Sequence, residues 1–70
     1  MPGDGSAFYL HTQPVASNTW LINHNLNGYP LIQVYSLGWQ RIYPDEQHLS
    51  LNTSQILFSY PALGYVILSL

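Results

Sequence analysis

The stretch WLINHNLNGYP, residues 20–30, decides how this chain is expected to fold. Trp20, Ile22 and His24 fall at every second position, and residues at that spacing share one face of a β-strand. Leu26 continues the same apolar series beyond the histidine. The stretch therefore predicts a strand that presents apolar side chains, with His24 among them, toward a core.

The second half of that stretch predicts a turn. Asn27 and Gly28 stand where a positive φ is needed, and asparagine and glycine are the residues that tolerate it best. Pro30 restricts the residue before it to an extended conformation and so begins the next strand. We therefore expect one strand to end near Asn25 and another to start just after Pro30.

The rest of the chain indicates short strands between turn signals, because Gly, Pro, Asn and Ser recur every few residues. Residues 1–6 are predicted to be a flexible lead-in, and residues 7–70 to be a single β-domain. The predicted fold class is all-β, a small antiparallel β-sandwich or partly open barrel of about six to seven short strands. The predicted strands are 7–13, 18–25, 31–36, 39–44, 46–51, 54–60 and 64–69.

Apolar residues at alternate positions within these strands predict the core. A chain of 70 residues buries only about 60% of its unfolded surface, so this core is expected to be thin. The predicted core residues are Trp20, Ile22, Leu26, Ile32, Val34, Ile42, Ile56, Phe58, Val66 and Leu68.

A small chain without cysteine has few ways to reinforce such a core. Disulfides and thiolate metal sites are excluded, which leaves association with another chain as the most economical source of extra stability. Charged residues make up only 6% of the chain, against about 25% in an average soluble domain. A chain with so little charge is expected to have much of its surface covered by neighbours.

The charge content also excludes classes of partner, because Arg41 is the single basic residue of the chain. Nucleic-acid binding depends on Lys and Arg that neutralise phosphates, so no nucleic-acid partner is expected. No membrane partner is expected either, since an electrostatic anchor needs basic residues and a transmembrane helix needs about 18 consecutive apolar ones. The N-terminal residues lack the basic region and the long apolar core of a signal peptide.

The strand faces predicted to point outward are apolar too. Aromatic and aliphatic side chains alternate with the core residues, as expected where both faces of a sheet are covered. Tyrosine is enriched at protein interfaces, so we expect a homo-oligomer, a trimer or higher, or contacts within a larger assembly. The candidate interface or glycan surface consists of Leu21, Tyr35, Trp39, Arg41, Tyr43 and Tyr65.

Five motifs follow one another along the chain. They are HTQPVAS at 11–17, W.I.HNLN..P at 20–30, I.VY at 32–35, LNTSQILFSYP at 51–61 and G.VIL at 64–68. In this order and spacing they resemble a small β-domain of bacteriophage tail fibre and minor tail proteins. The positions that carry the central motif are Trp20, Ile22, His24, Asn25, Leu26, Gly28 and Pro30.

The resemblance implies a virion structural role, usually as trimers or larger rings. The expected function is that of a tail, baseplate or fibre component that binds other virion proteins. Two alternatives are a carbohydrate- or receptor-binding module at a fibre tip, with a host glycan as partner, and a capsid decoration protein. The protein would be made in the host cytoplasm and located in the virion, in the tail rather than the capsid. No catalytic residues accompany this motif, so neither an enzyme nor a cofactor is expected.

His24 has two interpretations. Histidine serves as a metal ligand or a general base at neutral pH, and it also bonds backbone groups at strand ends. A catalytic histidine needs a nucleophile and an orienting acid, and neither stands near His24 in the sequence, which favours the structural role. A metal shared by His11, His24 and His48 is the remaining alternative, but no recognisable metal spacing separates these residues.

Two further pairs of residues have side chains that are suited to catalysis or to sugar binding. Asp45 and Glu46 are adjacent on a predicted turn, where solvated side chains are expected rather than the facing carboxylates of a glycosidase. Trp39 and Arg41 flank a predicted hairpin tip, and they are the best candidates if the surface binds sugar.

Overall fold

The computed structural model describes residues 7–70, which form an all-β structure. None of its elements is a helix, so this part of the chain contains no helix that could cross a membrane. The prediction of an all-β antiparallel fold is confirmed, and the predicted lead-in, residues 1–6, lies outside the described residues. The strands are β1 (Phe8–Asn23), β2 (Leu31–Tyr35), β3 (Arg41–Ile42), β4 (Asp45–His48) and β5 (Thr53–Ser69).

All five strands belong to one antiparallel sheet in the order β1-β5-β2-β3, with β4 also paired to β5. One edge of β5 pairs with β1 over most of its length. Along the other edge, the end of β5 pairs with β2 and its beginning pairs with β4. The sheet is open and has five strands rather than six or seven, so closure into a sandwich or barrel is not confirmed.

The structure joins or shortens the predicted strands. The predicted strands 7–13 and 18–25 are joined in β1, and 54–60 and 64–69 are joined in β5. The strands β2, β3 and β4 keep their predicted places but are shorter. The sheet is therefore built on two long strands from the two ends of the chain, with β2, β3 and β4 between them in sequence.

The strands β1 and β5 stay paired across two register shifts, one between Gln13 and Ser17 and the other between Ser17 and Thr19. A bulge bends a strand and leaves residues unpaired, so it tolerates proline where a regular ladder does not. Pro14 lies inside the first irregular segment, and Pro61 lies in the part of β5 that faces the second. Both prolines fall between predicted strands, but in the structure they lie within β1 and β5 at these bulges.

The two register shifts together amount to a slip of one residue. Before them, the odd-numbered His11 pairs with the buried Val66, whereas after them the even-numbered Trp20 pairs with the buried Ile56. Because side chains alternate between the two faces of a sheet, a slip of one residue exchanges the faces of β1. His11 and Trp20 therefore lie on the same face, with ring centroids 6.2 Å apart.

The core lies on one face of the sheet and draws on both halves of β5. Three other predicted core residues, Leu26, Ile42 and Phe58, are half-buried and pack against it. A flat single sheet has no second layer to cover a face, so complete burial requires the sheet to curl around these side chains. The seven buried core residues, all of them predicted, are Trp20, Ile22, Ile32, Val34, Ile56, Val66 and Leu68.

Trp20 joins β1 and β5 where their pairing is irregular. Its indole Nε1 donates hydrogen bonds to the carbonyl oxygens of Ser17 at 2.9 Å and Ala62 at 3.1 Å. Its ring centroid lies 4.5 Å from that of Phe58. A single side chain thus satisfies the backbone at the bulge and fills the space inside the bend.

Candidate functional site

His24 is buried at the end of β1 and is fully engaged in hydrogen bonds. Its Nδ1 accepts the backbone N–H of Leu26 at 3.1 Å, so the neutral ring carries its proton on Nε2. Nε2 lies 3.3 Å from the Ser54 hydroxyl oxygen, which lies 3.0 Å from Nδ1 of His48. In this tautomer His24 donates to Ser54, and Ser54 donates to His48.

This chain of contacts gives His24 a structural role. Burial lowers the pKa of His24, and the neighbouring His48 lowers that pKa further, so the neutral ring is favoured. Ser54 is completely buried, and a nucleophile must reach its substrate. Within residues 7–70, no acidic side chain hydrogen-bonds to either histidine. These contacts form a hydrogen-bonded corner that links β1, β4 and β5.

The turn that follows His24 docks on the β4–β5 hairpin. Asn25 and Asn27 both have positive φ values, of 56° and 55°. The backbone N–H groups of Asn25 and Asn27 donate to the backbone oxygen and the side-chain oxygen of Asn52 at 3.2 and 2.8 Å. Gly28 donates to the Leu51 carbonyl oxygen at 2.8 Å. A turn was predicted here with positive φ at Asn27 and Gly28, but the structure has positive φ at Asn25 and Asn27 and not at Gly28. Its partner Asn52 was not predicted.

The three histidines do not come together. His11 lies beside Trp20, and its Nε2 is 2.8 Å from the side-chain oxygen of Gln13. His24 and His48 are linked through Ser54 at the far end of the pairing between β1 and β5. Among the residues that the structure describes, no three His, Asp or Glu side chains are placed to hold a metal ion.

Five of the predicted surface residues form a continuous series of contacts, which we call the aromatic row. Trp39 stacks on Tyr65 with ring centroids 4.1 Å apart and planes 2° from parallel. Tyr35 lies 5.5 Å from Trp39 on its other flank. The Arg41 guanidinium carbon lies 6.0 Å from the Tyr35 ring centroid and 5.1 Å from that of Tyr43.

The backbone of Trp39, whose ring belongs to the aromatic row, has an unusual conformation. Its φ is 62°, and its N–H donates to the Ser36 carbonyl oxygen at 2.9 Å. The neighbouring Gly38, which marked the predicted hairpin tip, does not adopt the left-handed conformation. A bulky side chain with positive φ is rare and costs about 1–2 kcal/mol. Such strain is concentrated at binding sites, which makes Trp39 a candidate contact residue.

Leu21, the sixth residue of the predicted surface, lies apart from the aromatic row. It pairs with Gln55 on β5, which pairs with Gln47 on β4. The two glutamines are joined by a side-chain hydrogen bond of 2.7 Å. Leu21 is therefore a single exposed apolar side chain on a polar part of the sheet.

The apolar surface continues from the aromatic row toward the ends of β1 and β5. Leu10 pairs with Ile67, and both Phe8 and Leu31 pair with Ser69 from opposite sides. Directly paired residues point to the same face of a sheet, and the alternate residues of β5 and β2 are buried in the core. We call Phe8, Leu10, Leu31, Ile67 and the aromatic row the apolar outer face.

A cleft that was not predicted from the sequence lies where β4 pairing with β5 ends. Its volume is about 360 Å³. The half-buried side chains of Ile42, Leu57 and Phe58 form its apolar base. The exposed part is lined by Tyr43, Pro44, Asp45, Ser59 and Tyr60. Its lining includes the sequence segments YPD (residues 43–45) and FSY (residues 58–60). These segments meet only because β4 pairs with β5, and that long-range pairing cannot be predicted from either segment.

Asp45 and Glu46 lie in β4 rather than on a turn, which corrects the prediction for them. Backbone pairing of Asp45 with Leu57 and of Glu46 with Ile56 places them in the ladder. Neighbours in a strand point to opposite faces, so Asp45 lines the cleft and Glu46 does not. Partial burial raises the pKa of Glu46, while Arg41 and His48 oppose that rise.

Comparisons of the chain with protein-family models, with curated proteins and with solved structures find no match. The resemblance to the β-domain of bacteriophage tail proteins therefore stays a prediction that rests on the five motifs.

Proposed function

We propose that this chain is a bacteriophage virion structural protein, a tail, baseplate or fibre component that works by binding other subunits through its apolar outer face. The same face would mediate contact between copies of the chain, as a trimer or a higher homo-oligomer. No chemical step is required of it.

The contrast between the two halves of the outer surface carries this proposal. Around Leu10, the paired side chains on β1, β5 and β2 are largely apolar or aromatic. Around Leu21, the paired positions are taken by Gln55 and Gln47, and Thr53 donates to the Asn23 side chain at 3.0 Å. A polar half is adapted to water, whereas a contiguous apolar half marks an interaction site.

The exposed aromatic surface supplies enough free energy for association. Phe8 and Trp39 are each at least half exposed, so each leaves on the order of 100 Å² of aromatic surface in water. Covering that area contributes about 2–3 kcal/mol for each side chain. Specific interfaces bury about 800 Å² on each partner, and the aliphatic residues Leu10, Leu31 and Ile67 extend the patch toward that size.

The edge of β1 adds a second mode of contact. Along residues 8–23 the structure pairs β1 only with β5, so its other edge offers free backbone groups over the described residues. An unpaired strand edge pairs readily with a strand of another chain. Phe8 and Leu10 lie on this strand, so strand pairing and apolar burial would occur together.

The test is native mass spectrometry of the full chain with two variants. We expect the wild type to form a trimer or higher species and Leu10→Gln combined with Leu31→Gln to shift it toward monomer by at least about tenfold in dissociation constant. Leu21→Gln is the matched control, since Leu21 is 56% exposed and Leu10 is 49% exposed on the same strand.

A wild-type monomer at high micromolar concentration would overturn the proposal, and so would an equal effect of Leu21→Gln. The virion role has its own test, a density map of the particle. Leu10 and Leu31 should then be found against another subunit, in the tail rather than the capsid.

A further inference from the structure

Most of the cleft at the end of the pairing between β4 and β5 lies outside the apolar outer face, with which it shares Tyr43. Tyr43 is 82% exposed and Tyr60 is 65% exposed, yet both line the same concave site. Asp45 and the half-buried Phe58 are also among its lining residues. Ligand sites are lined mainly by hydrophobic and aromatic side chains with a few polar groups, and this cleft has such a lining.

The side chains that line the cleft favour one class of ligand, a cation that also has an aliphatic surface. The faces of tyrosine and phenylalanine rings carry negative potential, and they attract cations that come within about 6 Å of the ring centroid. The apolar base formed with Ile42 and Leu57 favours a ligand with an aliphatic surface. A carboxylate accepts hydrogen bonds and carries negative charge but donates nothing, so Asp45 also favours a cation.

We propose that this cleft binds a quaternary ammonium group, held by Tyr43 and Tyr60, with the Asp45 carboxylate as its counter-charge. The methyl groups of such a cation pack on the apolar base while its charge faces the rings. A primary ammonium fits less well, because it is strongly hydrated and loses more on leaving water.

The charges around the cleft agree with this ligand. The chain has a formal net charge of −2 and one basic side chain. That side chain, Arg41, lies 5.1 Å from the Tyr43 ring centroid, so this ring already attracts a cation. The guanidinium does not line the cleft, and its Nη2 lies 3.5 Å from the Ile32 carbonyl oxygen. Asp45 and Glu46 give this part of the sequence two acidic side chains against the one basic side chain of Arg41.

This inference goes beyond the proposed function and stands or falls separately from it. The residues that hold the ligand belong to the cleft, whereas the oligomer test changes Leu10 and Leu31. Tyr43 belongs both to the cleft and to the aromatic row, so the oligomeric state is compared in the variants at Tyr60 and Asp45, which lie outside the apolar outer face. Those variants are expected to leave the oligomeric state unchanged, and the variants at Leu10 and Leu31 to leave ligand binding unchanged.

The experiment is a titration of the isotope-labelled full chain, followed by the chemical shifts of its backbone amides. Choline is the probe, and 3,3-dimethyl-1-butanol is its uncharged counterpart of nearly the same shape. Nα-acetyl-lysine amide and methyl glucoside report on a primary ammonium and on a sugar. We expect choline to bind with a Kd on the order of millimolar and to shift mainly residues 42–45 and 57–60. The three other probes should bind at least about fivefold more weakly.

Variants separate the ring contacts from the fold. Tyr43→Leu and Tyr60→Leu keep apolar bulk but remove the ring, and each should weaken choline binding at least about fivefold. Asp45→Asn should weaken it as well, because the counter-charge is lost. Tyr29→Leu is the matched control, since Tyr29 has the same 65% exposure as Tyr60 and does not line the cleft.

Several results would overturn the proposal. Equal binding of choline and 3,3-dimethyl-1-butanol would show an apolar pocket without a role for charge. Stronger binding of methyl glucoside than of choline would show a sugar site. Choline-induced shifts confined to Tyr35, Trp39 and Tyr65, or no shift with any probe, would show that this cleft is not the site.

Discussion

The indole N–H of Trp20 on β1 donates to the carbonyl oxygen of Ala62 on β5, 42 positions further along the chain. The same N–H is shared with Ser17, which is paired with Ala62 across the bulge. One donor therefore satisfies two backbone oxygens at the place where the ladder between the two strands is broken. The core on both sides of the bend depends on this position.

Trp20→Phe keeps an aromatic ring in the core but removes the donor. The carbonyl oxygens of Ser17 and Ala62, which are partly buried, then lose their hydrogen bond, and leaving such polar groups unpaired costs about 1–3 kcal/mol. We expect a fall of at least that size in the free energy of unfolding, measured by urea denaturation. An unchanged unfolding midpoint would mean that the hydrogen bonds contribute nothing at the bulge.

Gly64→Ala is expected to be among the most damaging small substitutions. A Cβ at this position would overlap the backbone carbonyl oxygen of Tyr35 and lie 3.1 Å from the Trp20 ring. Relief requires β2 to move away from β5, so we expect a loss of about 3 kcal/mol or a failure to fold.

The matched control for that substitution is Gly38→Ala. The nearest atom to a Cβ there is the Ser36 hydroxyl oxygen at 3.9 Å, so the free energy of unfolding should change by less than about 0.5 kcal/mol. Equal effects of the two substitutions would contradict the close approach of β2 to Gly64.

The stability of the fold is expected to depend on the protonation of His24. The pKa of His24 is lowered in the folded chain from its ordinary value of 6.5, so the unfolded chain binds more protons just below that pH. His24 therefore contributes its full stabilisation above pH 6.5, and that contribution falls as the pH drops from 6.5 toward the lowered pKa. Protonation of Nδ1 also removes the acceptor for the Leu26 N–H.

The measurement is the unfolding midpoint of the wild type and His24→Gln between pH 8 and pH 5, which are about the limits of histidine titration. The difference between the two proteins isolates the contribution of His24, and it should shrink on acidification. His11→Gln serves as the control, because His11 lies beside Trp20 and outside this hydrogen-bonded corner. A difference that stays constant with pH would contradict the prediction.

Trp39 allows a test of strain against stacking. Trp39→Ala loses the contact with Tyr65 but keeps a side chain with a positive φ, whereas Trp39→Gly loses the contact and removes the strain. Glycine ordinarily destabilises relative to alanine, yet here we expect the glycine variant to be more stable by about 1 kcal/mol. Thermal unfolding of the two variants measures this difference, and the opposite order would show that the turn is unstrained.

Local patterns predicted much of this molecule. Alternation identified the seven buried core residues, and the asparagines after His24 predicted the turn at the end of β1. Alternation failed between residues 13 and 19, because two register shifts exchange the faces of β1 and proline is tolerated there. No local sequence pattern predicts such a register shift between two distant strands. Two long strands were therefore predicted as four short ones.

The candidate sites were also predicted in part, where they depend on residues that are close in sequence. Five surface residues were predicted together and do meet in the aromatic row, because they come from neighbouring strands and one hairpin. Leu21 was grouped with them because it alternates with the core residues of its strand, but the pairing of β1 with β5 places it beside Gln55 in the polar half. The cleft between Tyr43 and Tyr60 depends on long-range pairing of β4 with β5, which no local pattern encodes.

The pairing of β1 with β5 has a consequence for how fast the chain folds. Phe8 pairs with Ser69 and Asn23 pairs with Thr53, so the largest strand pair must close loops that span most of the sequence. Folding slows as native contacts become more distant along the chain, and it takes milliseconds to seconds in β-rich domains of this kind. During synthesis, Trp20 would remain exposed to solvent until β5 has been made. The apolar segments would be open to premature association throughout that interval.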